Sequence, residues 1–386
     1  MNNENLSIEE LRGKIDAIDT ELVKLFAERM EVSSGVAEYK RQRGLPVLDA
    51  GRERSLLARV SEMAGEDFAS YVRALYSTIF SLSRSYQQKL ISGTTESVVR
   101  IDEAIKNTNP LFPPSAVVAC QGIEGAYSQI AAQKMFELPD IQYYTSFGDV
   151  FDAIESGKCR YGVLPLENST AGSVTKIYDL MNKHQFYIVK SWRLKIDHNL
   201  LAKPGVKLEE IREVYSHEQA INQCAAFLRE NPQIKVVECA NTAMAARFAA
   251  SSDRRDVAAL SSRDCAETYG LNNLVPNVQD NANNYTRFIC ISRDLEIYPG
   301  ADKTSVMTVA PNKPGALYSL LSLFYAEGVN LTKLESRPIP ERDFEFLFYF
   351  DIDVSVYSPK LAAVIGELEK QSDRFRYLGS YSERIG

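Results

Sequence analysis

The stretch LRGKIDAIDTELVKLFAERMEVSSGVAEYKR, residues 11–41, decides how the N-terminal part of the chain folds. Its apolar residues recur at the three- and four-residue steps of one face of an α-helix. We call this set the apolar seam: Leu11, Ile15, Ile18, Leu22, Leu25, Val32 and Val36. Ser7 and Glu10 have the spacing of a capping box ahead of it. We therefore predict one long helix with a partner along the apolar seam.

The segment RGLPVLD, residues 43–49, carries a glycine and a proline that should end this helix. Helical patterns resume from Arg52 to Met63 and from Phe68 to Leu90. Residues 1–92 are therefore predicted to form an all-α unit of three helices. Helices of such unequal length make a poor core in a single copy, so we expect an intertwined dimer in which the long helices cover each other.

The periodicity changes twice in the rest of the chain. Residues 93–115, GTTESVVRIDEAIKNTNPLFPPS, gather Pro, Thr, Asn and Ser and are predicted to be a linker with about one helical turn. From residue 116 to about residue 298, short β-rich runs alternate with helical stretches, which indicates a mixed α/β domain. Residues 303–384 show the order β-α-β-β-α-β, which is typical of a ferredoxin-like α+β fold.

The composition is that of a globular protein with several domains, since 45% of the 386 residues are hydrophobic and 25% are charged. A net charge of −7 argues against nucleic acid as a partner. The start, MNNENLSIEE, lacks the apolar core of a secretion signal, and no stretch approaches the ~20 apolar residues of a membrane span. We expect a cytoplasmic protein without a membrane partner.

Signatures of cofactors are also missing from the sequence. The six cysteines form no CxxC pair and are expected to be free thiols, and the three histidines lie too far apart for a zinc site. Neither GxGxxG nor GxxxxGK[ST] occurs. We therefore expect no nucleotide cofactor and no metal.

Two cations lie in line with the apolar seam. Arg29 stands between Leu25 and Val32, and Lys40 follows about 16 Å further along the axis on nearly the same face. Their long side chains could close on one small dianion, or they could set helix register or reach out to solvent. Arg12 is ~25 Å from Arg29 on a straight helix, so it would have to serve the site of a partner chain.

Residues 7–92 resemble the AroQ-type chorismate mutase domain found at the N-terminus of bifunctional P-proteins. The matching stretches are LRGKIDAIDTELVKLFAERM (11–30), EYKRQRGLPVLDAGRER (38–54) and SLSRSYQQ (81–88). The resemblance implies a catalytic set of charged and polar residues. These are Arg12, Arg29, Lys40, Asp49, Arg52, Glu53, Ser83 and Gln87.

The implied set suits the rearrangement of chorismate, a dicarboxylate whose breaking ether oxygen gains negative charge. Arg29 and Arg12 of the partner subunit would hold the carboxylates in the reactive geometry. Lys40 and Gln87 would donate to the ether oxygen, an interaction that strengthens in the transition state. No proton transfer or nucleophile is required.

The remaining members of the set lie at the predicted start of the second helix and within the predicted third helix. By resemblance, Glu53 with Asp49 nearby would accept a hydrogen bond from the substrate hydroxyl, and Arg52 and Ser83 would be peripheral. Without the resemblance, Asp49, Arg52 and Glu53 would be interpreted as a capped helix start with surface charges.

Four motifs mark the α/β part of the chain: CQGIEGAYSQIAA (120–132), PLENSTAG (165–172), YSHEQAINQC (215–224) and NNYTRFIC (283–290). Turn chemistry explains each of them alone. Together they resemble the prephenate dehydratase domain over about residues 116–298, which implies a two-lobed fold like that of periplasmic binding proteins. The implied pocket contains Glu167, Asn168, Ser169, Thr170, Ser216, Gln223, Thr286, Arg287 and Phe288.

The implied reaction expels hydroxide and carbon dioxide from prephenate, so the enzyme mainly needs an acid for the leaving hydroxyl. The resemblance makes Thr286 that acid. Because a threonine hydroxyl is a weak acid, Arg287 or another charged network must assist it. Asn168, Ser216 and Gln223 would hold the carboxylates and the hydroxyl.

Three residues depart from the family's usual loops. Ile123 and Glu218 stand where proline is usual, and so does Ala282. These differences change loop stiffness and remove no chemical group. His217 is expected to be structural, because the reaction needs no base.

The C-terminal part resembles an ACT domain through NKPGALYSLL (312–321) and LESRP (334–338). The helix start in the first motif would offer backbone amides to the carboxylate of an amino acid, with the second motif as the other wall across a dimer interface. The implied ligand is L-phenylalanine, acting as feedback inhibitor; the alternative is a structural turn. The implied residues are Asn312, Pro314, Gly315, Ala316, Leu317, Glu335, Ser336, Arg337 and Pro338.

The sequence thus favours a multidomain, homo-oligomeric enzyme of phenylalanine biosynthesis that takes chorismate and prephenate as substrates without a cofactor. Two other hypotheses explain less. A solute-binding or regulatory protein would account for the α/β and C-terminal parts but not for Arg29 and Lys40 on a helical seam. A mutase fused to a dehydrogenase would need the missing nucleotide fingerprint.

Overall fold

The computed structural model describes residues 6–91, 95–310, 312–339, 345–372 and 374–386. Its helices are α1 (Ile8–Arg43), α2 (Ala50–Ile91), α3 (Glu96–Asn107), α4 (Tyr127–Met135), α5 (Phe147–Glu155), α6 (Thr175–Lys183), α7 (Glu218–Asn222), α8 (Ala225–Glu230), α9 (Thr242–Ser251), α10 (Arg263–Tyr269), α11 (Ala316–Ala326) and α12 (Pro359–Gln371), with a 3-10 turn at Leu208–Glu210. None of the helices in these ranges combines the length and the hydropathy needed to cross a bilayer.

The strands are β1 (Ser115–Gln121), β2 (Leu138–Tyr144), β3 (Tyr161–Asn168), β4 (Gly172–Ser173), β5 (Tyr187–Lys195), β6 (Asn199–Ala202), β7 (Glu213–Ser216), β8 (Lys235–Glu238), β9 (Val257–Ser261), β10 (Asn272–Val275), β11 (Tyr285–Ser292), β12 (Lys303–Ala310), β13 (Asn330–Pro338), β14 (Phe346–Asp353), β15 (Phe375–Tyr381) and β16 (Glu383–Ile385).

Helix α1 begins and ends as the sequence predicts. The hydroxyl of Ser7 accepts from the Glu10 backbone N–H at 3.2 Å, and the Glu10 carboxylate accepts from the Ser7 N–H at 2.7 Å. Gly44 ends the helix with φ 64°, a left-handed conformation that favours glycine. Of the helix residues, all of which are described, only Ser33 and Ala37 are buried, and Leu22 in the apolar seam is 53% exposed. Described residues of a single chain therefore do not cover the seam.

Helix α2 reverses direction in its middle. Gly65 has φ 72° and ψ 170°, angles that no α-helix contains. Glu53 and Arg84 would be ~46 Å apart on a straight helix, yet they form an ion pair. The two halves of α2 therefore lie side by side against α1, and they correspond to the second and third predicted helices.

Helix α3 lies where the sequence predicts a linker with one turn. It has 12 residues, and Ile101 and Ala104 are buried in one hydrophobic cluster with Leu368 of α12. The segment is thus a docked helix for most of its length.

The α/β region has two lobes, each built on a sheet of described strands. The first sheet has the order β16-β5-β11-β3-β1-β2, with β4 beside β3, and the second has the order β10-β6-β9-β7-β8. The chain crosses between the lobes twice, through residues 196–198 after β5 and residues 276–284 before β11. A cleft opens between the two sheets at these crossings.

The C-terminal unit is a sheet of order β13-β14-β12-β15, with α11 and α12 inserted in the β-α-β-β-α-β order that the sequence indicates. Phe350 packs toward the helices, whereas Tyr349 belongs to the core of the first lobe. Gly379 in β15 permits close contact with β5, because a Cβ would lie 2.2 Å from the Ile188 carbonyl oxygen. After β15 the chain adds β16 to the edge of the first-lobe sheet.

We expect Ile101→Ala to lower the free energy of unfolding by about 2–5 kcal/mol, because it leaves a cavity between α3 and α12. Val99→Ala is the matched control, since Val99 lies on the same helix and is 42% exposed, and its cost should stay below about 0.5 kcal/mol. Native-state hydrogen exchange of the α12 amides measures the difference. Equal protection in the two variants would show that α3 adds nothing to the C-terminal core.

Candidate functional site

Three of the predicted polar residues, Asn168, Gln223 and Thr286, line the cleft between the two lobes. We call it the interlobe cleft, a cavity of about 550 Å³ whose walls include Gln121, Asn168, His198, Gln223, Asn241 and Thr286. First-turn residues of α4, α6, α7 and α9 also line it. Because a helix N-terminus carries positive partial charge, the starts of the three longer helices, α4, α6 and α9, favour an anionic ligand.

Strand alternation decides which predicted residues reach the cleft. Thr286 of β11 is the cross-strand neighbour of Asn168, and Arg287 is the neighbour of Glu167. Because successive side chains of a strand point to opposite faces, the first pair faces the cleft and the second pair faces away from it. Phe288 lines the cleft again, as the same alternation requires, and the register shift after Arg287 is taken up on β3.

Asn168 is buried at the floor of the cleft, and its amide is fixed on both sides. Its Oδ1 accepts from the backbone N–H groups of Thr170 at 3.0 Å and Ala171 at 2.9 Å. Its Nδ2 donates to the Tyr285 carbonyl oxygen at 3.2 Å and to the Thr286 hydroxyl oxygen at 2.9 Å. Since Asn168 fills a lone pair of the Thr286 oxygen, the Thr286 proton is free to be donated into the cleft.

Gln223 reaches this network from the second lobe. Its Nε2 donates to the Thr170 hydroxyl at 2.8 Å, and its Oε1 accepts from Asn284 at 3.0 Å. The same Oε1 lies 2.9 Å from Nε2 of His198, a buried wall residue that the sequence did not single out. A lone histidine has no motif around it, and its partner lies 25 residues away in the sequence, so only the fold brings the pair together.

The other predicted residues of this region take different places. Ser169 donates to the Asn283 carbonyl oxygen at 3.1 Å, beside the cleft. Ser216 is fully buried and donates to the Leu260 carbonyl oxygen, so it does not face a ligand. His217 lines the cleft and caps α7 through its Nδ1, in line with the structural role expected for it.

Arg287 lies at the centre of a buried ion cluster behind the cleft. Its guanidinium is bound by Glu167 at 3.1 Å, Asp351 at 2.5 Å and Glu383 at 2.9 Å, and it donates to the Tyr381 hydroxyl at 2.6 Å. Burial alone would lower the pKa of Arg287, but these groups, Asp351 foremost, raise it well above its ordinary value. In this arrangement Arg287 does not contact Thr286 and joins the first lobe to the C-terminal unit.

Glu167 extends the cluster to β13. Its carboxylate accepts from Lys333 at 2.8 Å. Burial would raise the pKa of Glu167, but Lys333 and Arg287 together lower it below the ordinary value, so the group is ionised. The predicted pocket residue Glu167 is therefore a contact between units and does not line the cleft.

The helical unit brings together three of its predicted residues. Arg29 donates to the hydroxyl of Ser83, and Ser83 and Gln87 share one face of α2 at a spacing of four residues. Gln87 is buried, and its Oε1 has no hydrogen-bond partner among the described residues. One helical turn from Ser83, the site therefore holds a buried acceptor that no donor of the described residues reaches.

The remaining predicted residues of the helical unit make local contacts. Lys40 donates to the Val47 carbonyl oxygen in the turn after α1. Asp49 caps α2 by accepting from the Arg52 N–H at 2.9 Å, and Glu53 pairs with Arg84. Arg12 is exposed near the N-terminal end of α1, far from the Arg29 side chain.

The predicted C-terminal site spans the start of α11 and the strand β13. Gly315 has φ 82° and caps α11, and the turn residues before it, Asn312 and Pro314, are exposed. On β13 the side chains alternate between two environments. Glu335 accepts from Ser173 at 2.6 Å and Arg337 binds Asp179 at 2.9 Å, so both contact the first lobe. The remaining predicted residues at this site are Ala316, Leu317, Ser336 and Pro338, the last two on the exposed face of the strand.

The described residues that could bind a metal lie outside the cleft, and the cysteines form no disulfide. Asp152, Glu155 and His184 are close enough together to hold a metal ion, but they belong to α5 and the loop after α6 and do not line the cleft. All six cysteines are free. Burial raises the pKa of the Cys224 thiol, near the cleft, to about 12, so this thiol is protonated.

Family comparisons match two separate parts of the chain. Residues 11–88 match the family model described as chorismate mutase type II, and residues 118–296 match the model described as prephenate dehydratase. The first match covers α1 and α2, and the second covers the two lobes with the interlobe cleft.

Comparison with individual proteins extends over nearly the whole length. The chain is 30% identical over 383 residues to the bifunctional chorismate mutase/prephenate dehydratase of Aquifex aeolicus, covering 98% of both chains. It is 32% identical to the enzyme of the same name from Escherichia coli strain K12, covering 97% of this chain and 96% of that one. A solved structure of Arthrobacter aurescens prephenate dehydratase in complex with L-Phe is 30% identical and has a TM-score of 0.62, covering 69% of this chain and 90% of that one.

Proposed function

This chain belongs to the family of bifunctional chorismate mutases/prephenate dehydratases, and we propose that it works in the cytoplasm as a phenylalanine-regulated enzyme that forms phenylpyruvate from chorismate in two consecutive steps. It has both activities, the mutase in the helical unit and the dehydratase in the two lobes. The observation that carries the proposal is the coincidence of each family match with one cluster of polar residues, at Arg29 and at Thr286.

For the dehydratase step, we place prephenate in the interlobe cleft. Prephenate is a dicarboxylate, which suits a cavity of about 550 Å³ lined by the N-termini of α4, α6 and α9. Thr286 donates its proton to the ring hydroxyl, which leaves as water as the C–O bond breaks. The ring carboxylate leaves as carbon dioxide, and its bonding electrons complete the aromatic ring. Solvent returns the proton to Thr286.

Support for Thr286 as the acid comes from its hydrogen bonds. Because Asn168 donates to its oxygen, the hydroxyl is oriented as a donor, and the negative charge that develops on the oxygen is stabilised. Arg287 assists indirectly, through the strand that it anchors, since its guanidinium lies on the other face of β11.

For the mutase step, the proposal requires a second copy of the chain. Arg29, Ser83 and Gln87 form one part of a site, with Lys40 further along the same helix. The unpartnered Oε1 of Gln87 favours a ligand or a partner side chain beside it. Arg12 is too far along α1 to reach this site in its own chain, but a second α1 packed on the exposed apolar seam would bring the partner's Arg12 to it. We therefore propose an intertwined dimer.

For regulation, we propose that L-phenylalanine binds at the start of α11 beside β13, in an ACT domain of ferredoxin-like fold. No side chain caps α11 at Gly315, and the Ala316 N–H donates to the Lys313 carbonyl oxygen, so a carboxylate would meet the N–H groups that follow it in the first turn. Strand β13 carries Lys333, Glu335 and Arg337 into contact with the first lobe, so a ligand that shifts this strand changes contacts with the dehydratase. Such a ligand inhibits if it binds the less active arrangement better.

Removing the proposed acid should separate the two activities. We expect Thr286→Val, which has nearly the same shape, to lower the dehydratase kcat by about 10²–10⁴-fold, because the valine cannot donate a proton. Thr286→Ser is the matched control and should keep most of the activity. Phenylpyruvate formation from prephenate measures the effect, and chorismate consumption by the same sample should be unchanged. A fully active valine variant would rule out Thr286 as the acid.

Mixing two inactive variants should restore the mutase if each site uses two chains. Arg12→Ala and Arg29→Ala should each abolish most of the mutase activity alone. In co-expressed protein, half of the dimers are mixed and each has one intact site, so about a quarter of the wild-type activity should return. Dehydratase activity on added prephenate is the control for folding. Absence of recovery in isolated mixed dimers would show that each chain builds its site alone.

L-phenylalanine should bind with a calorimetric signal and suppress phenylpyruvate formation, whereas D-phenylalanine should do neither. Gly315→Ala should weaken binding at least tenfold, about 1.4 kcal/mol, because a methyl group there disturbs the amides at the start of α11. Gly300→Ala is the matched control, since Gly300 has φ 85° close to the 82° of Gly315, and neither position has an atom within 4 Å of the added Cβ. Equal weakening in both variants would show that backbone strain, and not the binding site, is responsible.

A further inference from the structure

We propose that His198 is a positioning residue for the dehydratase, which acts through Gln223 to orient the hydrogen-bond network that ends at Thr286. The inference rests on the proposed function of Thr286 as the acid. His198 is only 3% exposed, lines the interlobe cleft and lies 2.9 Å from Gln223 through its Nε2. It does not reach Thr286 itself.

The direction of the network is set by backbone groups. Two backbone N–H groups point at Oδ1 of Asn168 and a backbone carbonyl oxygen accepts from its Nδ2, so this amide has one allowed orientation. Its Nδ2 shares two hydrogens among three acceptors, of which Oδ1 of Asn284 at 2.7 Å is nearest, and this bond turns the Asn284 Nδ2 toward Gln223. The atom of Gln223 that meets both Asn284 and His198 must therefore be the oxygen.

This direction determines the tautomer of His198. An amide oxygen can only accept, so the proton of the imidazole must lie on Nε2. The other ring nitrogen, Nδ1, has no partner within the described ranges, which suits an unprotonated nitrogen and disfavours a second N–H there.

The neutral state of His198 agrees with its surroundings. Burial lowers the pKa of the imidazole, although the bond to Gln223 and the neighbouring Asp197 act in the opposite direction. Tyr127 packs edge-on against the ring, and burial raises its pKa, so Tyr127 is neutral as well.

His198 also lies where the two lobes are joined. Its backbone N–H donates to Gln279 at 2.9 Å and its carbonyl oxygen accepts from the Val278 N–H at 2.8 Å, so it ties the first crossing segment to the second. Asn284, at the end of the second crossing, bonds to both Gln223 and Asn168. The ring thus holds Gln223 against the crossing from which β11 and Thr286 begin.

Three substitutions separate this role from simple packing. His198→Leu removes the donor, His198→Asn moves a donor to the Nδ1 position, and His198→Gln keeps a donor at the Nε2 position. We expect the leucine and asparagine variants to lose about tenfold to a hundredfold in dehydratase kcat with a smaller change in KM, and the glutamine variant to keep most of it. Chorismate consumption by the same samples is the internal control for folding.

The double variant Thr286→Val/His198→Leu tests whether His198 acts through Thr286. It should be no slower than Thr286→Val alone, because the acid that His198 positions is already absent. Equal activity of the leucine and glutamine variants, or an additive loss in the double variant, would overturn the inference. If Thr286→Val is itself active, the proposed acid fails first, and that result is independent of the His198 variants.

Discussion

The ion cluster around Arg287 is the interaction on which the arrangement of the dehydratase and C-terminal units depends. A guanidinium that is 4% exposed is stable only if carboxylates surround it. Glu167 comes from β3, Asp351 from β14 and Glu383 from β16, so separate segments must meet for the charge to be neutralised. The cluster holds the four-strand sheet against the first lobe. It also fixes β11, on which Thr286 directly precedes Arg287.

Strand alternation gives this arrangement its functional meaning. The pair Thr286 and Asn168 faces the cleft, and the adjacent pair Arg287 and Glu167 faces the C-terminal unit, so the same two strands line the cleft on one face and contact the C-terminal sheet on the other. Lys333 on β13 binds Glu167 directly. In the proposed regulation, a ligand that shifts β13 would act on β3 and β11 without an intermediate element, and by reciprocity prephenate would change the affinity for that ligand by the same factor.

Local patterns in the sequence predict the helices and strands well, because caps, glycines and periodicity act within a few residues. The capping box at Ser7, the end of α1 at Gly44 and the β-α-β-β-α-β order all follow from such patterns. The sequence could not show which face of β11 carries Arg287, since that depends on the pairing with β3 and the bulge after it. It missed His198 and the docking of α3 for the same reason: their partners lie far away along the chain.

The strand β16 belongs to the first-lobe sheet but is the last strand of the chain to be translated. It forms the edge of the first-lobe sheet beside β5. Because it follows β15 in the chain, it is translated only after the whole C-terminal unit. During translation, β5 would expose an unpaired edge, a template for association with other chains. A nascent chain that has made both lobes would therefore carry an open sheet edge, which β16 covers only after the C-terminal unit has been made.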